Sequence, residues 1–143
     1  MKPNFSWTRL SAVLAVSATF AITAGLGNAF TPGGSGPKWM APTAASGKKN
    51  PVASNAASIS TGKKIFGKEC ESCHGKTGIG NGPKAAELSK VPGNLTTHEF
   101  QSQSDGAIFW KITKGNKPMP TFATAYSEEE RWSVVNYLRT LGK

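Results

Sequence analysis

Cys70-Glu71-Ser72-Cys73-His74 sets two thiols and an imidazole within five residues, and Met119 stands later in the chain between Pro118 and Pro120. Residues three and four apart lie on one helix face, so a single helix end can turn both sulfurs and the ring toward one object. C-x-x-C-H is the pattern of covalent c-type haem attachment. Each sulfur adds to a vinyl group of the same porphyrin, and His74 offers a ring nitrogen to the iron. Two other chemistries use similar residues. Zinc needs about four ligands, and beyond this motif only His98 is left to help. A thioredoxin-like dithiol expects its Cys-x-x-Cys after a strand in a βαβ setting, and no alternating run here suggests a strand. The two cysteines are also too close in sequence to close a useful disulfide loop.

A haem iron so held has a second axial position. Of Met1, Met40 and Met119, only Met119 falls in the part of the chain that carries the motif. Prolines on both sides fix φ and stiffen its loop, so a soft thioether can meet iron with little loss of entropy, and Met–His ligation raises the reduction potential. His98 is the alternative ligand, in a polar stretch without such stiffening. A vacant sixth position, which would permit peroxidase or gas-sensing chemistry, is the third.

Short helices must position these groups. Ser60 is an N-cap candidate for a helix through Lys63, Ile65, Phe66 and Cys70 toward Cys73. Gly62 inside it costs roughly 1 kcal/mol relative to Ala, unless another helix must come close there. Gly75–Pro83 is too glycine-rich for regular structure, Lys84–Ser89 can form a short helix, and Val91-Pro92-Gly93-Asn94 reads as a turn. Ser104 or Asp105 caps a second helix with Ile108, Phe109 and Ile112 on one face, ended by Gly115. Ser127 with Glu130 forms a capping box opening a last helix whose buried stripe is Trp132, Val135 and Leu138. The expected fold is all-α, about 85 residues from Ser58 in three main helices and long loops. Such a polypeptide makes a thin core on its own, so a further group is expected in its interior.

The 143 residues suit one domain plus tails. The formal charge of +9 is unevenly placed, with no acid before Glu69. Lys2 and Arg9 precede the run Leu10–Leu26, in which 12 of 17 residues are Ala, Val, Leu, Ile or Phe, with a small-residue exit at Gly27-Asn28-Ala29. Residues 1–29 therefore read as a secretory signal or an uncleaved anchor, marginal in length for a core of roughly 30 Å. Of the 28 residues 30–57, 21 are Gly, Pro, Ser, Ala, Thr or Asn; such a stretch buries little apolar surface and reads as a flexible linker. The domain is then 58–143. This composition argues against a large α/β enzyme, a multipass membrane protein and a fully disordered chain.

From Ser58 to Lys143 the sequence resembles the class I, mono-haem cytochrome c family. The likeness lies in Gly62 and Phe66, in Cys70-Glu71-Ser72-Cys73-His74-Gly75, in the glycine loop ending at Gly82-Pro83, in Gly115–Pro120 with Met119, and in Val134, Tyr137 and Leu138. The resemblance implies three main helices and long loops wrapped around one covalent haem c. It implies that Gly62 and Phe66 cross the last helix near Val134 and Tyr137. The backbone carbonyl of Pro83 would accept a hydrogen bond from His74, and Leu88–Leu95 would cover the haem edge. A non-enzymatic one-electron carrier in a periplasmic or other extracytoplasmic respiratory chain is expected. The haem subunit of a larger dehydrogenase or oxidase is the alternative, and haem catalysis or ligand sensing a third. Expected partners are redox proteins with acidic docking surfaces, steered by Lys68, Lys76, Lys84, Lys114 or Lys117. No nucleic-acid partner is expected, and the N-terminal segment would give membrane association if it is retained.

Overall fold

The computed structural model describes residues 39–142, so the expected signal or anchor at 1–29 and the start of the linker lie outside it. The described elements are α1 (Thr43–Ser46), α2 (Ala56–Ile65), α3 (Glu71–His74), α4 (His98–Gln101), α5 (Asp105–Lys114) and α6 (Glu128–Thr140). No strand occurs among the described residues, and none of their helices is long and apolar enough to cross a membrane. Among the described residues the fold is all-α, the class expected.

Helix α2 starts earlier than expected. Its cap is Asn55, not Ser60: the Asn55 side chain accepts from Ser58 N at 3.0 Å while Ser58 Oγ accepts from Asn55 N at 3.2 Å. This reciprocal pair satisfies two backbone donors that would otherwise be orphaned. The helix then runs into a π-helical turn, Phe66–Cys70, where Glu71 N bonds Phe66 O, and straight on into α3. The wider turn re-phases the helix face, keeping Phe66 in the core while Cys70 and Cys73 border a cavity.

Helix α6 is the centre of the molecule. Every residue from Trp132 to Leu138 is buried, so the expected stripe is in fact a full circumference. Three neighbours account for this. Helix α2 crosses at Gly62, where an added Cβ would overlap Ser133 O and lie 2.9 Å from Tyr137 Cβ; Phe66 meets Tyr137 at 5.2 Å between ring centroids. Helix α5 stacks Phe109 on Trp132 at 3.9 Å and 11°. The third neighbour is the segment 39–57, which corrects the expectation of a flexible linker. Asn50 Nδ2 donates to Asn136 Oδ1 at 2.8 Å, and Asn136 Nδ2 donates to Val52 O at 3.1 Å and to Ser58 Oγ at 3.1 Å. These bonds satisfy a buried amide and hold a stretch with few apolar side chains against α6.

The remaining caps follow expectation. Ser104 caps α5 through Ala107 N, Gly115 ends it at φ 66°, and the Ser127–Glu130 box opens α6. Lys84–Ser89 contributes one 3-10 turn at Ala85–Glu87. Helix α4 is an addition, capped by Thr97. Arg139 fastens this end, donating to Asp105 Oδ1 at 2.8 Å and to the carbonyls of Gln101 and Gln103 at 2.6 Å each.

Candidate cofactor site

A cavity of about 550 Å³ opens beside the core, within the size range of cofactor pockets. Phe66, Ile108, Ile112, Phe122, Val134 and Leu138 give it apolar walls. Cys70, Cys73, His74 and Met119 border the same space. Four chemically reactive groups from two distant segments thus converge on one apolar chamber.

Cys70 and Cys73 are not joined in a disulfide. Before any attachment, burial pushes the Cys70 thiol up to about 12, with the nearby Glu69 and Cys73 charges adding to it, so it would be protonated at neutral pH. Burial also lowers the His74 pKa, opposed by its backbone hydrogen bond to Gly93. The imidazole is therefore neutral at pH 7. Its Nδ1 lies 3.0 Å from Gly93 O. With the proton on Nδ1 donated to that carbonyl, Nε2 keeps its lone pair for a metal.

That partner replaces Pro83, the expected acceptor. The glycine loop after His74 folds back onto the carbonyl end of α3: Gly80 N bonds His74 O at 2.8 Å, Gly82 N bonds Cys73 O at 3.0 Å and Lys84 N bonds Ser72 O at 2.9 Å. Gly82 must be glycine, since an added Cβ would overlap Ser72 O. Pro83 is exposed between two of these capping bonds and does not border the cavity. The next stretch, Leu88–Leu95, passes the imidazole instead, pinned by Leu95 N on Gly78 O at 2.7 Å and by burial of Leu95. Leu88, Lys90, Val91, Pro92, Gly93, Asn94 and Leu95 all border the cavity.

Met119 ends a type VI turn, Asn116–Met119, with a cis bond between Lys117 and Pro118. Asn116 N bonds Met119 O at 2.9 Å and Met119 N bonds Asn116 O at 3.0 Å. Phe122 N on Ile112 O at 3.2 Å and Thr121 Oγ1 on Thr113 O at 2.6 Å bind the following residues to α5. The thioether is half-buried against the core. His98 is exposed on α4 and does not border the cavity. Among the described residues no three His, Cys, Asp or Glu side chains converge as a metal group, so the zinc alternative finds no ligand set there.

None of the five lysines expected near the haem edge borders the cavity; Lys90 and Lys111 do. Trp39, Glu69 and Gln103 are further border residues that motif reading passes over. Tyr126 donates to Glu69 Oε1 at 2.7 Å, and Lys68 Nζ lies 3.4 Å from the same oxygen. The residues present fit a porphyrin: apolar walls, two thiols at helical spacing, a neutral imidazole and a thioether, all on one chamber.

Comparison with known proteins agrees. Residues 57–138 match the family described as cytochrome c oxidase, cbb3-type, subunit III. Cytochrome c6 of Thermosynechococcus vestitus and that of Thermostichus vulcanus are each 30% identical over 83 residues, 58% of this chain and 70% of the relative. A solved chain of the Kuenenia stuttgartiensis reducing HAO-like protein complex superposes with a TM-score of 0.60 at 34% identity, covering 65% of this chain. This chain spans about half of that one, 47%. The KustC0563 c-type cytochrome superposes at 0.51 with 26% identity, over 57% of this chain and 98% of its own. With more than half of its residues in that match and the site built as above, the chain belongs to the cytochrome c family that carries the name of cbb3-type oxidase subunit III, and is an electron-transfer haem protein.

Proposed function

We propose that this chain is a one-electron carrier, not an enzyme, whose single haem c is attached through Cys70 and Cys73 and ligated by His74 and Met119. The observation that carries this reading is the convergence of those four side chains on one apolar chamber. A bound haem supplies a reversible ferric–ferrous couple. The protein does the rest. Cys70 and Cys73 tether the group, and His74 presents a neutral ring oriented by Gly93. Met119 supplies a thioether from a turn hydrogen-bonded at both ends. Phe66, Ile108 and Val134 keep water out, which together with thioether ligation favours the ferrous state.

The carrier acts outside the cytoplasm, in the periplasm or an equivalent compartment of a respiratory chain, delivered by residues 1–29 and tethered to the membrane if that segment is kept. Lysines steer an acidic redox partner toward it, with Lys90 and Lys111 nearest the cavity. A second reading, the haem subunit of a larger dehydrogenase or oxidase, is favoured by the likeness to a chain of a multi-protein complex and to a family named for an oxidase subunit.

Optical spectra of the exported protein test the ligands. Low-spin bands in both oxidation states, a weak far-red Met–Fe(III) absorption and no carbon monoxide binding to the ferrous form are expected. High-spin spectra with ready carbon monoxide binding would contradict Met119 ligation. Co-purification with a large partner separates the subunit from the free carrier.

A further inference from the structure

The segment 39–53 lies outside the family match, which begins at residue 57, yet it supplies a border of the cofactor chamber through Trp39. Its position is held at three places. Gly106 on α5 has the arm so close that an added Cβ would overlap Ala45 O and come within 2.6 Å of Lys48 O. Ser104 Oγ donates to Ser46 O at 2.7 Å, and Asn50 is bonded to Asn136. Trp39 itself meets Trp110 at 6.0 Å between ring centroids, and Lys111 Nζ sits 5.4 Å from its ring centre. Lys111 borders the chamber too, and bonds Gln103 Oε1. By contrast Met40, the next residue along, is 65% exposed.

We propose that Trp39 is a haem-packing residue: its indole forms one wall of the chamber, shields an edge of the haem from water and holds the Lys111 ammonium beside it. This rests on the haem reading above. The ferric centre carries one more positive charge than the ferrous, so excluding water from it favours reduction. Burial of an indole against a flat apolar ring also explains why an aromatic side chain stands in a stretch that otherwise has none.

The test uses the full-length haem-loaded chain labelled with 5-fluorotryptophan. The Trp39 resonance, identified by its loss in Trp39→Phe, should move between the ferric and ferrous states by more than those of Trp110 and Trp132, neither of which borders the chamber. Against a mediator of fixed potential, Trp39→Ala should shift the equilibrium toward the ferric form about threefold. Trp39→Phe should restore most of it, and Met40→Ala should change nothing. A Trp39 signal that moves no more than that of Trp110, or an unchanged equilibrium in a Trp39→Ala protein whose arm has become protease-sensitive, would make Trp39 only an anchor of the arm and overturn the inference. A chain that matures without covalent haem overturns the haem reading and this inference together.

Discussion

Cys70, Cys73 and His74 ride on one continuous helical segment, whereas Met119 ends a four-residue turn. The helical wall is fastened many times over. Its carbonyl end is capped by the glycine loop, its ring is held by Gly93, and its root is locked under α6 at Gly62. The Met119 turn has its own two backbone bonds and two more to α5 just beyond it. Tyr126 on Glu69 ties the chain beyond the turn back to the helical wall. The difference teaches which side of the site should yield first: the imidazole wall is part of the scaffold, and the thioether is an attachment to it.

The largest effect should come from the scaffold side. Replacing both Cys70 and Cys73 with Ala should let acid acetone extract the haem, which the wild type retains; equal extraction from both would mean that no thioether bonds form. Next, Gly62→Ala forces a methyl onto Ser133 O. Overpacking of this kind costs about 1–3 kcal/mol, read as a lower midpoint in denaturant, with the spectrum of the folded fraction unchanged. An unshifted midpoint would mean that α2 and α6 do not cross there.

On the thioether side, Met119→Ala should leave the haem attached. It should abolish the far-red absorption, lower the potential and admit carbon monoxide to the ferrous form. If instead that variant lost haem altogether, the turn would be as structural as the helix and the contrast would fail.

How much of this is readable from residue types depends on the range of the cause. Ser104, Gly115 and the Ser127–Glu130 box act within one turn of chain, so residue types narrow the start of α5 to Ser104 or Asp105 and place the other two directly. Asn55 is not distinguishable locally because Ser60 has the same credentials; the choice turns on the reciprocal bond with Ser58 and on Val52 and Ala53 reaching Asn136. The segment 39–57 reads as a linker from its composition for the same reason. Its composition reports the apolar area it can bury, but what holds Asn50 is a side chain 86 residues away. Gly93 cannot be told from Pro83 in the sequence because the acceptor is a backbone carbonyl, which every residue possesses. Cys70, Cys73, His74 and the proline-flanked Met119 stand out in the sequence since few side chains can perform their chemistry, and the structure brings all four to one cavity.

The smallest expected effect concerns the bond that joins the two walls. In the folded protein Glu69 titrates below its usual range, held down first by the hydrogen bond from Tyr126, and Tyr126 titrates above its own, raised first by that same bond. A depressed acid contributes stability above its unfolded pKa, near 4.3, and loses it as pH falls through the lower folded value. A raised phenol contributes below its unfolded pKa, near 10, and loses it as pH climbs through the higher folded value. Between roughly pH 4.3 and 10 the bond is therefore whole. Tyr126→Phe should cost only about 0.5 kcal/mol after solvent screening, and should flatten the fall in stability on acidification. A larger acid sensitivity in the variant than in the wild type would assign that fall to other carboxylates.

The most direct test of the central claim is the intact mass of the exported chain after full denaturation in acid. One haem still bound per polypeptide, with neither Cys70 nor Cys73 open to a thiol reagent, is the predicted result. A colourless polypeptide of unadorned mass with both thiols reactive would contradict it.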